Sequence, residues 1–402
     1  MINDNCHIHY WGTGIIILIN NQQFHFNELQ KEILFAINKK IPLNKLLLNK
    51  EIVDNSNFDK ICITFYNQLK KYQIISEHSN GNFTSSGEVG KFYPLKLNLQ
   101  ITNKCHLKCK HCYMCASPEN NDFLIEKKLD ELLKNLKGKI YSIQITGGEP
   151  MLHKNFFDIS QLCKKNCLYL TLTTTGMLIN DRNAEKLKIF SDIQVSLHSY
   201  KDYEHDYLTN SKGSRQKVIK GINSLKKVGY TNISISHIVT NKNFSDLNQI
   251  LKFAQNNKIS DVTFGLMSKL GRGKNLDKSF FLSEDNIDIV MEELESCKEV
   301  YYDINFSDWH DVDNNFNKIA SMPCEAGTLT WVINEKGNIL PCEYFTYHGC
   351  NIGSIKDLKS LVEQNPRYKT IHSANELINS FELDNVDSDL ICEKIKMIAS
   401  VE

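Results

Sequence analysis

The sequence predicts an α/β protein built on a parallel sheet, and two observations carry that reading. Short apolar strands recur: Leu95, Leu97, Leu99 and Ile101 alternate, and runs follow at Ile140–Ile145, Leu168–Thr173, Ile193–Leu197, Ile233–Val239 and Val262–Leu266. Helical periods lie between them, at Leu124–Leu136, Phe156–Lys165, Asp181–Phe190, Gln216–Val228 and Leu247–Asn256. Strand and helix alternating about six times make a parallel array, either an open sheet or a partial barrel. In both, ligands sit beyond the carboxyl ends of the strands.

The rest of the chain frames this array. With 402 residues, more than one domain is expected. Hydrophobic residues make up 41%, enough for a sizeable core. The 47 basic and 47 acidic residues cancel, which argues against a mainly electrostatic nucleic-acid binder. The start lacks the basic and apolar regions of a signal peptide, and Ile15 to Ile19 is too short an apolar run to cross a bilayer. The expected compartment is therefore the cytoplasm, with no membrane partner. There, 13 cysteines point to metal binding or chemistry rather than disulfides.

Residues 1–79 read as a separate unit. Gly14–Asn20 and Gln23–His25 form a hairpin pattern around Asn20-Asn21. Asn27 is placed to cap a helix reaching Lys39, and further helices are expected near Leu43–Leu48 and Asn57–Tyr72. The polar stretch Glu77 to Gly90 reads as a linker, giving boundaries of 80–92 for the linker and 93–282 for the array. After Ser283 a helix leads into a smaller region, 283–402, holding Cys324, Cys342, Cys350 and Cys392. Thr330–Asn334 and Asn338–Leu340, around Glu335-Lys336-Gly337, predict a hairpin that draws Cys324 and Cys342 together.

The sharpest motif is Cys105-His-Leu-Lys-Cys109-Lys-His-Cys112-Tyr113, directly after the first strand of the array. Three thiolates so spaced can wrap three irons of a cubane and leave the fourth iron open. Cys115 extends the run to four, so a structural zinc site is the alternative.

Together with Gly147-Gly148-Glu149-Pro150 after the second strand, this motif resembles the radical S-adenosylmethionine (SAM) superfamily. The resemblance implies a partial (β/α)6 TIM-type barrel and a [4Fe–4S] cluster on Cys105, Cys109 and Cys112. It implies a SAM site formed by Tyr113, Gly147, Gly148, Glu149, Ser196 and Arg272. Thr173-Thr174-Thr175-Gly176 resembles a softer family motif. One departure stands out: many relatives carry an arginine where this chain has Leu208-Thr209-Asn210.

The region from Cys324 resembles SPASM and twitch domains, which implies an auxiliary Fe–S cluster, [4Fe–4S] or [2Fe–2S]. Cys324 and Cys342 are its expected ligands, with Cys350 and Cys392 as further candidates. The amino-terminal segment resembles the winged-helix-like domain of peptide maturases, which implies a precursor peptide as partner, held by its leader. An electron donor such as flavodoxin or ferredoxin is implied as well. The layout resembles the maturases that close a cysteine sulfur onto an α-carbon. Peptide epimerases and carbon–carbon crosslinking maturases are the other enzymes of this kind, and a zinc-cysteine binding module is the non-enzyme reading.

Overall fold

The structure, a computed structural model, describes residues 1–20, 22–42, 55–267, 269–307, 326–343 and 351–366. A four-stranded sheet opens the chain, in the order β3-β2-β1-β4. Its strands are β1 (His7–Trp11), β2 (Gly14–Ile19), β3 (Gln22–Phe26) and β4 (Thr84–Gly87). The predicted hairpin is β2–β3, and Asn20 takes the positive φ its turn requires. Helix α1 (Glu28–Asn38) starts on the expected cap: Asn27 accepts from the Gln30 amide, and the Gln30 side chain answers to the Asn27 amide. Helix α2 (Asn55–Lys71) matches the helix expected near Asn57–Tyr72. The helix expected near Leu43–Leu48 lies outside the described residues.

Two strands here went unpredicted. His7–Trp11 carries buried histidines at alternate positions, so it lacks an apolar alternation. Thr84–Gly87 falls inside the stretch expected as a linker, yet it pairs in parallel with β1. A chain of polar contacts explains both. Tyr93 O can only accept, so His9 donates to it from Nε2 (3.0 Å) and accepts from Ser86 Oγ at Nδ1 (2.8 Å). Ser86 Oγ then accepts from His7 Nε2 (2.8 Å), and His7 Nδ1 accepts from Thr84 Oγ1 (2.8 Å). Every partner is satisfied with both imidazoles neutral, the state that their burial favours.

The second sheet has ten strands in the order β11-β10-β9-β8-β7-β6-β5-β12-β13-β14. β5 (Lys96–Gln100), β6 (Ser142–Thr146), β7 (Tyr169–Thr174), β8 (Asp192–Ser196), β9 (Ile233–Val239) and β10 (Asp261–Leu266) are parallel and sequential, as predicted. Helices α3 (Glu126–Leu136), α4 (Phe156–Lys164), α6 (Ser214–Lys227) and α7 (Leu247–Asn256) occupy the expected connections, and α5 (Asp202–Thr209) precedes α6. One connection differs. Asp181–Phe190, expected as a helix, forms only a 3₁₀ turn at Ala184–Ile189. Asn183 ties its side chain to Asn180 N and Leu178 O, so the tight turn takes the residues a helix would need.

The array is open, and later strands extend both edges. β11 (Asn305–Ser307) adds in parallel to β10. β12 (Thr330–Ile333) adds in parallel to β5, and the predicted hairpin with β13 (Asn338–Leu340) continues through β14 (Gly353–Ser354). The carboxyl-terminal hairpin is therefore part of the core sheet, although the sequence placed the end of the array at Ser283.

The strands divide their side chains by face. Ile143, Ile145, Leu170, Leu172, Ile193 and Val195 pack with Leu129, Leu132, Ile159, Val218 and Leu225 of the helices. The alternate residues Gln144, Thr173, Gln194 and Thr263 turn inward and are joined edge to edge. Gln144 Nε2 donates to Thr173 Oγ1 (2.6 Å), which donates to Gln194 Oε1 (3.4 Å), and Gln194 Nε2 reaches Thr263 Oγ1 (3.5 Å). The concave interior is thus polar and uncharged at this level.

The histidine chain lies where the two sheets meet. The His7 ring packs 4.5 Å from Tyr141, and Gly87 N donates to Lys139 O (3.1 Å). Burial, with His9 adding to it, lowers His7 from 6.5 to about 3; burial lowers His9 to about 4. Both folded values lie below the unfolded one, so the stabilisation is complete above pH 6.5. It is lost as pH falls toward about 4. Each histidine is expected to cost about 2 kcal/mol by pH 5. Thermal melts of a His7→Asn/His9→Asn variant should show a shallower loss of Tm between pH 7 and 5 than the native chain. Parallel slopes would refute this account.

Candidate active site

The loop that follows β5 carries the cysteine motif, and its backbone is fixed from four sides. Cys105 N donates to Ser117 O (3.1 Å), and Thr102 Oγ1 donates to Asp122 O (2.7 Å). Lys110 N donates to Leu208 O (2.8 Å), which docks the loop on α5. The Gly147-Gly148 turn after β6 closes on its base: Gly148 N donates to Thr102 O (2.7 Å) and Glu149 N to Lys104 O (2.8 Å). A Cβ at Gly148 would sit 2.3 Å from Lys104 O, so glycine is what permits the contact. Gly271, at φ +55°, meets Cys112 O and Tyr113 O just as closely.

Inside this frame lies a cavity of about 440 Å³, at the carboxyl ends of the strands. Cys105, Cys109 and Cys112 line it; Tyr113, Gly147, Gly148, Ser196 and Arg272 line it too. Cys115 is not among the lining residues. The sequence motifs therefore converge on one cavity from β5, β6, β8 and β10. The three thiols fit a cubane cluster. Burial pushes Cys105 up to about 12 and raises Cys109 as well, so a thiolate there needs a compensating cation. Among the described residues no group of three Cys, His, Asp or Glu is placed to hold a single metal ion.

Two expected contacts are arranged differently. Glu149 lies fully buried behind the wall. Its carboxylate accepts from Thr174 Oγ1 (2.8 and 2.9 Å), Thr175 N (2.9 Å), Thr175 Oγ1 (2.6 Å) and Met151 N (3.1 Å). It anchors the Thr173–Gly176 turn. Arg272 faces the cavity, but its Nε donates to Cys109 O (2.7 Å) and an Nη to Ala116 O (2.7 Å). Its guanidinium clamps the cysteine loop at both ends. Cys324, Cys350 and Cys392 lie outside the described residues. Cys342 follows β13 and is half-buried.

Sequence reasoning missed two features. Glu343 enters the cavity wall from the carboxyl-terminal hairpin. Asn98 Nδ2 donates to it (2.8 Å), as does the Tyr113 hydroxyl (3.3 Å). Burial raises its carboxyl above the usual range, against the opposing pull of those two bonds. The signal was a charged residue directly after an apolar strand and Pro341-Cys342. The second feature is a histidine group: the His111 and His198 rings meet at 4.5 Å, and His198 and His205 stack at 5.8 Å.

The three cysteines thus line a cavity at the strand ends of a parallel α/β array. Residues 99–254 match the Radical SAM superfamily, and the chain carries a radical SAM domain. Among characterised proteins it is similar to the antilisterial bacteriocin subtilosin biosynthesis protein AlbA of Bacillus subtilis (strain 168), at 26% identity over 289 residues. That match covers 69% of this chain and 62% of AlbA. It is also similar to the sporulation killing factor maturation protein SkfB of the same organism, at 24% identity over 64% of this chain and 62% of SkfB. The chain thus spans just under two thirds of the length of either relative. In fold it resembles Streptococcus suis SuiB, with a TM-score of 0.64 at 19% identity, over 93% of this chain and 90% of that one. SuiB bound to its precursor peptide SuiA gives a TM-score of 0.60, over 86% of this chain and 84% of that one. Among the described residues no helix is long and apolar enough to cross a membrane.

Proposed function

We propose that this protein is a radical SAM maturase that joins a cysteine sulfur to an α-carbon in a ribosomally made precursor peptide. The observation that carries the reading is the cavity wall on which Cys105, Cys109 and Cys112 meet Gly147, Gly148 and Ser196. On this reading the three cysteines hold a [4Fe–4S] cluster, and SAM lies against Tyr113, Gly147, Gly148, Ser196 and Arg272, with Glu149 behind them. When bound, the reduced cluster and SAM supply a 5′-deoxyadenosyl radical that abstracts a hydrogen. The cavity volume suits one ligand of that size with a reacting residue beside it. The similarity to AlbA, named for biosynthesis of the bacteriocin subtilosin, and to SkfB, named for maturation of the sporulation killing factor, supports a peptide substrate.

The chain's own groups have further roles in this reading. Glu343, its basicity raised by burial, accepts the proton that the substrate thiol must lose. Cys324 and Cys342, with Cys350 and Cys392 as further candidates, would hold an auxiliary Fe–S cluster, which would take up the electron released when the thiolate sulfur bonds to the α-carbon radical. Residues 1–79, with β4 joined to their sheet, form a winged-helix-like recognition domain. There β3 pairs only with β2 among the described residues, so a leader peptide adds to its open edge as a further strand. Flavodoxin or ferredoxin supplies the electron.

The test is co-expression with the product of a short, cysteine-containing reading frame beside the gene. The modified peptide should be two hydrogens lighter and should resist thiol alkylation. Removing its leader should slow modification at least tenfold, because tethering sets the effective concentration at the site. An unchanged mass with an inverted residue would mean epimerisation instead. A lighter peptide that keeps every thiol would mean a carbon–carbon crosslink.

A further inference from the structure

The departure at Leu208-Thr209-Asn210 leaves a question of charge. The cavity wall holds one arginine among its described residues, and two arms of that guanidinium are committed to loop carbonyls. The wall also carries Glu343 and three thiols, so an incoming carboxylate meets an unfavourable field there. Within that stretch Thr209 turns its hydroxyl back to His205 O (2.9 Å) and to Ser214 Oγ (2.7 Å).

One turn earlier on α5 stands His205, which lines the same cavity and is 1% exposed. Its Nδ1 accepts the His198 amide (3.1 Å), which fixes the proton on Nε2. That Nε2 is buried without a partner in the protein. Burial, the first cause, lowers the ring to about 3, so at neutral pH it is an uncharged donor. The helix that carries it is pinned to the cysteine loop through Lys110 N and Leu208 O. An orphaned buried donor in a ligand cavity is costly unless the ligand satisfies it.

We propose that His205 is a cofactor-binding residue whose Nε2–H hydrogen-bonds the carboxylate of SAM, taking over the part a charged side chain plays in relatives. The inference rests on the radical SAM reading of the cavity. A neutral donor reaches the carboxylate through a directed hydrogen bond and needs no counter-ion of its own.

Two substitutions separate the two ring nitrogens. His205→Asn keeps an acceptor where Nδ1 meets the His198 amide and removes the Nε2 donor. His205→Gln keeps a donor near the Nε2 position and removes the acceptor. Both are measured on anaerobically reconstituted holoenzyme by equilibrium dialysis, against SAM and against 5′-methylthioadenosine, which lacks the carboxylate. A hydrogen bond to a charged group corresponds to on the order of tenfold to a hundredfold in affinity. His205→Asn should weaken SAM binding by that factor, with affinity for 5′-methylthioadenosine and iron content unchanged. His205→Gln should stay within about threefold of the native enzyme. The inference is overturned if His205→Asn binds SAM normally, or if it loses both ligands equally. It is also overturned if the defect appears only in binding of precursor peptide, which would assign the donor to a peptide carbonyl. Failure of the native holoenzyme to bind SAM at all would overturn the radical SAM reading itself.

Discussion

Replacing Cys105, Cys109 or Cys112 by alanine is expected to reduce reductive formation of 5′-deoxyadenosine to background, whereas Cys115→Ala keeps it. The argument is positional. The first three thiols face the cavity, and Cys115 does not. Cys115 sits one turn further on, at φ +53°, where the loop reverses. With three ligands, each on its own iron, one iron stays open for the cofactor; losing any ligand opens a second iron and the cluster is not retained. Iron and sulfide analysis of the same variants checks the cause, since cluster loss should accompany activity loss. A Cys115→Ala enzyme that loses this cluster as completely as the others would falsify the ligand assignment.

Glu343→Gln should lower peptide modification by on the order of a hundredfold or more, within the range of a lost proton acceptor. Uncoupled cofactor cleavage should persist, because the cysteine wall is untouched. Glutamine keeps the shape of the side chain; its oxygen can accept from Asn98 and its amide nitrogen can donate to the Tyr113 hydroxyl oxygen, so the hairpin stays docked. The rate for Glu343→Gln should also lose the low-pH limb that an ionising carboxyl imposes on the native enzyme. The native limb should lie above the ordinary carboxylate range, because burial raises this group. A variant that modifies the precursor at the native rate would remove Glu343 from the chemistry.

The core was legible because its signals are local. Six strands with apolar residues at alternate positions, separated by helical periods, announce a parallel array whatever packs around it. The cysteine run and the Gly147-Gly148 turn are contiguous in sequence, so their convergence followed from the order of the strands. What escaped was written in polar residues. His7, His9, Thr84 and Ser86 build two strands through side-chain hydrogen bonds, and neither HIHYW nor TSSG alternates by hydropathy. Glu343 and His205 matter only through burial and partners far away in sequence, such as Asn98 at 245 residues' separation. Glu149 hydrogen-bonds the Thr174–Thr175 turn and Arg272 the cysteine loop, partners that no motif reveals.

The parallel pairing of β12 with β5 sets a rule for chimeras. Thr330 lies opposite Lys96 and Ile333 opposite Leu99, and Glu343 reaches Asn98 from this seam. A slip of one residue in a grafted carboxyl-terminal module would move the seam by ~3.3 Å and turn its side chains to the other face. Donor modules chosen only for matching cysteines would then fold yet misaim the carboxylate. The spacing between the grafted strand and Glu343, more than the number of cysteines, decides which modules of similar proteins can be exchanged onto this sheet.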